Sequence, residues 1–226
     1  MRPNTRPLLP LLVLSIASTL SCTVWVAPAT LAPATRAAAA APPAADPDLE
    51  AVQTHLLRHA QRTGQSEAEL RVLARTLVEE AHRHHLDPDL VLAVVHVESR
   101  YDAYAVSDKR AMGLMQILPA TGEWLAAQTG VTWQGPQTLF DPIANVRLGV
   151  AYLRILLDRY DGDLSAALVA YNWGPGHVDG RLRDGEPLPA TYSELVLRAY
   201  GQQARRAASN TPSSAHRVGS ERNSEV

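Results

Sequence analysis

Helix-start signals recur along this sequence, and no stretch alternates convincingly between apolar and polar residues. Ser66 and Glu69 form a Ser-x-x-Glu pattern, in which the serine caps a helix and the glutamate reaches back to the serine's own N–H. Asp87-Pro88 and Asp141-Pro142 each place an N-cap acid before a proline at the first helical position, where no backbone hydrogen bond is lost. Asp163 is a fourth cap. Apolar spacing then predicts helices over 49–62, from Ser66 through Leu70, Leu73, Leu77 and Val78, and from Asp87 to about Ser99. Further helices are expected over 112–118, 120–128, 143–160, 164–172 and 191–205. The expected fold class is mainly α, with little or no β-sheet. The helix after Asp87 is apolar nearly all round, through Leu90, Val91, Val94 and Val95, which predicts burial on every side.

Composition narrows the function classes. A length of 226 residues suits one domain with a real core, or two small ones. The formal charge of −2 comes without a dominant basic patch, so no nucleic-acid partner is expected. A single cysteine excludes a disulfide framework and a cysteine-rich zinc site. His55 and His59 lie four apart, and His82, His84 and His85 cluster before a turn. Neither group has an obvious third ligand, so both read as solvated helix faces, and no metal or other cofactor is expected. Nine of the 12 aromatic residues lie between Tyr101 and Trp173, which marks that third of the chain as different in purpose.

One carboxylate stands out within it. Glu98 ends the apolar helix and is followed by a loop holding Tyr101, Tyr104 and Ser107. A carboxyl at the edge of a hydrophobic helix is partly desolvated, which raises its pKa toward what a general acid needs at neutral pH. The competing reading is a helix-terminal residue that reaches solvent.

The run Glu98-Ser99-Arg100-Tyr101-Asp102, then Ala105-Val106-Ser107, then Gly113-Leu114-Met115-Gln116-Ile117-Leu118-Pro119-Ala120-Thr121, resembles the catalytic stretch of soluble lytic murein transglycosylases, a lysozyme-like family. The resemblance continues in Asn145-Val146-Arg147-Leu148-Gly149 and in Ala170-Tyr171-Asn172-Trp173-Gly174-Pro175-Gly176. It implies a peptidoglycan-cleaving enzyme with Glu98 as the single acid/base. The substrate would be the glycan strand, cut between N-acetylmuramic acid and N-acetylglucosamine to leave a 1,6-anhydro end. Ser107, Met115, Gln116, Tyr171, Asn172 and Tyr101 are then the expected substrate-binding residues. On pattern alone, Met115 and Tyr171 equally suit the core.

Ala103 stands where that family often has proline, and Arg110 where glycine is frequent, so Arg110 is strained if that position needs positive φ. The family's last motif is degraded: Thr191 fits, while Ala190 replaces an acid and Glu194 a tyrosine. Two rivals stay open. One is a hydrolytic muramidase that pairs Glu98 with Asp102, Asp108 or Asp141, and the other a non-catalytic glycan-binding or scaffold module.

Residues 1–29 read as a signal peptide, with Arg2 and Arg6 ahead of an apolar run and Ala27-Pro28-Ala29 as a cleavage site. Cys22 offers lipidation and an outer-membrane lipoprotein instead, and an uncleaved anchor is the third reading. All three export the chain toward the periplasm. Residues 30–48 are an Ala/Pro-rich linker, 49–86 an amphipathic helical extension, 87–208 the catalytic domain and 209–226 a disordered tail. The extension suits packing on the catalytic domain or an envelope or secretion-machine partner, and the whole is expected to be a monomer.

Overall fold

A computed structural model describes residues 46–210, and the expected signal, most of the linker and most of the tail lie outside them. The helix that organises the rest is α4, Pro88–Ser99, in which Pro88 and every residue from Leu90 to Val95 are buried. Asp87 Oδ1 caps it, accepting from the Asp89 N–H at 2.8 Å. Having no polar face of its own, α4 must be covered on all sides.

Its cover comes from both ends of the described chain. α1, Pro47–Arg58, and α3, Glu67–Arg83, pack on each other and both touch α4. The short α2, Ala60–Thr63, links them. The capping box of α3 forms as its sequence predicts: Glu69 N–H reaches Ser66 Oγ at 3.3 Å, and Ser66 N–H reaches Glu69 Oε2 at 2.7 Å. The other flank of α4 is closed by the long terminal helix α9, Thr191–Asn210.

A second layer hangs on α6, Pro142–Arg159, which packs on α3, on α5, Pro119–Thr129, and on α7, Leu164–Trp173. Asp141 and Asp163 cap α6 and α7 as expected. One cluster of buried apolar side chains runs from Val52 to Val196, so residues 49–86 share one core with the helices C-terminal to them. No described helix is long and apolar enough to cross a membrane.

Three local expectations fail. Residues 112–118 form no helix: they make turns joined by two isolated antiparallel bridges, Val106 with Met112 and Met112 with Ile117. Gly113 at φ 78° and Gln116 at φ 48° sit in the left-handed region, which a right-handed helix cannot accommodate. A 3-10 helix, Pro136–Phe140, and α8, Pro175–Arg183, appear where only loop and turn were expected. Gly174 is in fact the N-cap of α8 and Pro175 its first residue, with Val178 buried and Asp179 bonded to Tyr160 and Arg159.

α3 is pinned to α6 by a carboxylate, not by apolar contact alone. Glu80 is 3% exposed; its Oε1 lies 2.6 Å from Arg83 Nη1 and 3.2 Å from Arg147 Nε, and His84 stands 3.9 Å from Oε2. The guanidinium groups are half exposed and can be rehydrated, whereas the carboxylate cannot. Arg147→Ala, which leaves the buried carboxylate one cation short, is therefore expected to lower stability by about 2 kcal/mol, and Glu80→Ala, whose partners return to water, by clearly less. Chemical denaturation of the two variants side by side checks this, and equal losses would show that packing, not the ion pair, holds α3 to α6.

Candidate active site

The last turn of α4 carries Glu98 out of the buried core to the wall of a cavity of about 320 Å³. Only part of the carboxyl meets solvent. Tyr192, at the start of α9, donates its hydroxyl to Glu98 Oε1 at 2.5 Å. Burial pushes the Glu98 carboxyl up to about 7, against the opposing pull of this hydrogen bond, which favours the ionised form. Burial, with the Glu98 charge behind it, holds the Tyr171 and Tyr192 phenols well above their usual range, so both stay protonated donors.

The opposite wall is the irregular segment after α4, and its shape is set by one buried amide. Asn145, on α6 and fully buried, accepts from the Met115 N–H at 2.8 Å and donates to the Met112 and Leu139 carbonyls at 2.9 Å each. These bonds replace the ones that a helix over 112–118 would have made. Gly113 lies against the same amide: a Cβ there would collide with Asn145 and with the Leu139 carbonyl. Gly149, one helical turn beyond Asn145, leaves the space filled by the Met115 side chain.

Four of the expected binding residues join Glu98 at the cavity. Ser107 and Gln116 line one side, Tyr171 and Asn172 the other. Gln116 Nε2 donates to the Ala105 and Gly113 carbonyls at 3.1 and 3.0 Å, which leaves Oε1 as the acceptor it can offer. Ser107 Oγ accepts from the Ala111 N–H at 3.0 Å, and its proton is available as a donor. Tyr171 donates to the Met115 carbonyl at 2.9 Å, tying α7 to the 112–118 segment.

Two expected contacts lie elsewhere. Met115 is fully buried, and its part in the site is through its backbone, which bonds Asn145 and Tyr171. Tyr101 is also fully buried; its hydroxyl lies 2.6 Å from His55 Nε2, and its ring packs on those of His59 and His96. At φ 72°, directly after Arg100 at φ 52°, the chain reverses at the end of α4 and sends the Tyr101 ring inward. The same contact corrects the reading of His55 as a solvated helix face, since that ring is buried against Tyr101. Arg110 does take positive φ, at 63°, so the chain holds an arginine where glycine would be unstrained.

Tyr192 escaped the sequence reading. Its signal was slight: a tyrosine beside Thr191, offset from the position that Glu194 occupies in the degraded motif. The bond it makes spans 94 positions of chain and follows only from the packing of α9 on α4.

Residues 76–186 match the family profile of the transglycosylase SLT domain, a span that holds every residue lining the cavity, while Tyr192, which bonds Glu98, lies beyond it. Over these residues the chain carries a transglycosylase SLT domain. It is similar to membrane-bound lytic murein transglycosylase C of Edwardsiella ictaluri, 38% identical over 108 residues that make up 43% of this chain and 30% of that protein. It is also similar to the transglycosylase of Enterobacteria phage PRD1, 42% identical over 97 residues, which are 43% of this chain and 33% of the phage protein. The chain thus spans about a third of the length of the curated relatives it matches. Among solved structures, an inactive glutamate-to-glutamine mutant of lytic transglycosylase Slt from Pseudomonas aeruginosa superposes with a TM-score of 0.55 at 29% identity, covering 61% of this chain and 25% of that one. The 70 kDa soluble lytic transglycosylase of Escherichia coli shares the fold at 24% identity and a TM-score of 0.54, covering 58% of this chain and 24% of that one.

In this SLT domain the raised pKa of Glu98 carries a stability consequence. The folded value of about 7 lies above the unfolded 4.5, so the folded state binds the proton more tightly. That contribution to stability is complete below the unfolded pKa and is lost as the pH rises through about 7. Glu98→Gln removes the titration, and the variant is expected to gain about 2 kcal/mol on the wild type between about pH 4.5 and pH 8. Urea denaturation at the two pH values measures the gain; a variant whose margin over the wild type is the same at both would show that the carboxyl is as well hydrated folded as unfolded.

Proposed function

We propose that this chain is a lytic transglycosylase. It cleaves the β-1,4 bond between N-acetylmuramic acid and N-acetylglucosamine in peptidoglycan and leaves 1,6-anhydromuramic ends. The observation that carries the reading is one carboxyl, Glu98, desolvated to a pKa of about 7 at the wall of a cavity lined by hydroxyl and amide groups. The names of the relatives support it, as does the inactivity of the solved Pseudomonas protein once one glutamate becomes glutamine. Glu98 starts protonated and gives its proton to the glycosidic oxygen as the C1–O4 bond breaks. Its carboxylate then takes the proton of the muramic acid's own 6-hydroxyl as O6 bonds to C1. One proton moves from the 6-hydroxyl to the departing 4-hydroxyl, and no water is consumed. The substrate's N-acetyl carbonyl stabilises the charge at C1 between the two steps, so no protein nucleophile is required.

Ser107 Oγ and Gln116 Oε1 are the groups that fit an N-acetyl or hydroxyl group in the cavity, and Asn172 closes its other side. Tyr192 steadies the ionised form of Glu98 between the two proton transfers. The reaction belongs at the cell wall, to which the basic and apolar N-terminal segment of the sequence would export the chain.

A hydrolytic muramidase is the second reading, and Asp108 is the observation that favours it. Of the three acids proposed to activate water, Asp102 is engaged with the Tyr104 N–H and Asp141 caps α6, while Asp108 lines the cavity with Glu98. The two products differ by one water. Mass spectrometry of digested peptidoglycan is expected to show anhydromuramic ends, and reducing muramic ends alone would establish hydrolysis. Glu98→Gln is expected to lower kcat by about a thousandfold. Tyr192→Phe deletes the bond that holds the Glu98 pKa down, so the alkaline limb of its pH–rate profile is expected to move to higher pH. A limb that stays put or moves down would remove Tyr192 from control of the acid.

A further inference from the structure

The catalytic cavity does not stand alone on the surface. Asn172 lines both that cavity and a neighbouring depression between α7 and α9, whose rim carries Trp173, 42% exposed, and Tyr192. Leu195, 48% exposed, lines this depression and a third one between α4 and α9. Shared residues therefore link the three into one surface track. The track leads from Glu98, over an apolar shoulder, to a hollow of about 280 Å³.

That hollow is unlike the cavity it leads from. It is flanked by two guanidinium groups from different helices, Arg100 at the end of α4 and Arg198 on α9, and its apolar walls are Val97, Leu195 and Ala199. No aspartate or glutamate lines it, and among the described residues neither arginine is ion-paired. Arg100 also complements the carbonyl end of α4, but that role asks nothing of Arg198. Two unpaired guanidiniums facing one hollow are a fork-shaped receptor for a carboxylate.

The proposed substrate says where that carboxylate comes from. The N-acetylated sugars along a glycan strand are neutral in their rings, and where the lactyl carboxyl of muramic acid is amide-linked to a peptide, the anions are the carboxylates of that peptide. We infer that Arg100 and Arg198 bind a peptide-stem carboxylate of the strand engaged at Glu98, which makes this enzyme select stem-bearing over stem-free glycan. The inference rests on the transglycosylase reading above and adds to it the part of the substrate that lies outside the cavity.

The test compares soluble stem-bearing glycan strands with the same strands stripped of peptide by an amidase and amidated at the lactyl carboxylates this exposes, at low ionic strength. Products are followed by mass spectrometry. The wild type is expected to have the lower KM on stem-bearing strands, and added salt is expected to erase that preference. The double variant Arg100→Gln/Arg198→Gln is expected to raise KM about tenfold on stem-bearing strands with kcat little changed, and to leave stripped strands within about twofold. Arg100→Lys, which keeps the charge but loses the fork, is expected to fall between them. Thermal melts of all variants separate loss of fold from loss of binding.

Equal losses of the double variant on both substrates would overturn the inference in favour of a glycan-binding or structural role for the arginines. No change on either substrate would overturn it as well, while leaving the transglycosylase reading intact. A wild type inert on both strands would overturn that reading itself, and this inference with it.

Discussion

A helix that is apolar on every side has no stable place except inside other helices, and α4 is such a helix. Its burial dictates that α1 and α3 lie on one flank and α9 on the other. It also dictates the chemistry at its end. A carboxyl one turn from the exit of a fully covered helix is bound to be short of water. The shift of Glu98 to about 7 is thus the same physical fact as the core of the protein, seen at the point where that core stops.

The wall facing Glu98 is held by a different principle. Residues 112–118 satisfy their backbone only in part through their own turns and bridges, and Asn145 adds two hydrogen bonds to the segment and a third to the Leu139 carbonyl beside it. A buried amide with both donors and its acceptor engaged is specific in a way that apolar packing is not, because a shift of the segment would strand its Met112 and Met115 partners. Gly113 and Gly149 are the complement of this arrangement: each leaves out a Cβ where the amide or the Met115 side chain must lie. The position of Gln116 is set from outside its own segment.

The sequence was most legible where structure is local. The capping box at Ser66, the acid–proline starts at Asp87 and Asp141, and the burial of α4 all follow from residues within a turn or two of one another. Reading failed where partners are distant. The apolar residues of 112–118 mimic a helix period, but their backbone bonds go to Ala105, to Asn145 on α6 and to Tyr171 on α7 as well as within the segment. Tyr101 sits in an aromatic-rich loop beside the acid and reads as a sugar platform, yet two successive left-handed residues turn it inward onto His55, 46 positions earlier. That Glu98, Ser107, Gln116, Tyr171 and Asn172 lie at one cavity was legible because motif resemblance stands in for the long-range information that spacing lacks. Tyr192 was not, because the motif around it has drifted.

The reach of Tyr192 also ties the setting of Glu98 to the last described helix. Glu98 emerges early in the chain, whereas the helix that covers it and supplies its hydrogen bond is the last described element. Tyr200 clamps the far end of α4 in the same way, through Asp87 at 2.6 Å. Without α9, one flank of α4 would lie bare and the Glu98 carboxyl would lose its Tyr192 partner and part of its cover. The setting of this carboxyl therefore depends on a residue 94 positions further along the chain, and a variant that loosens α9 would disturb it without touching α4.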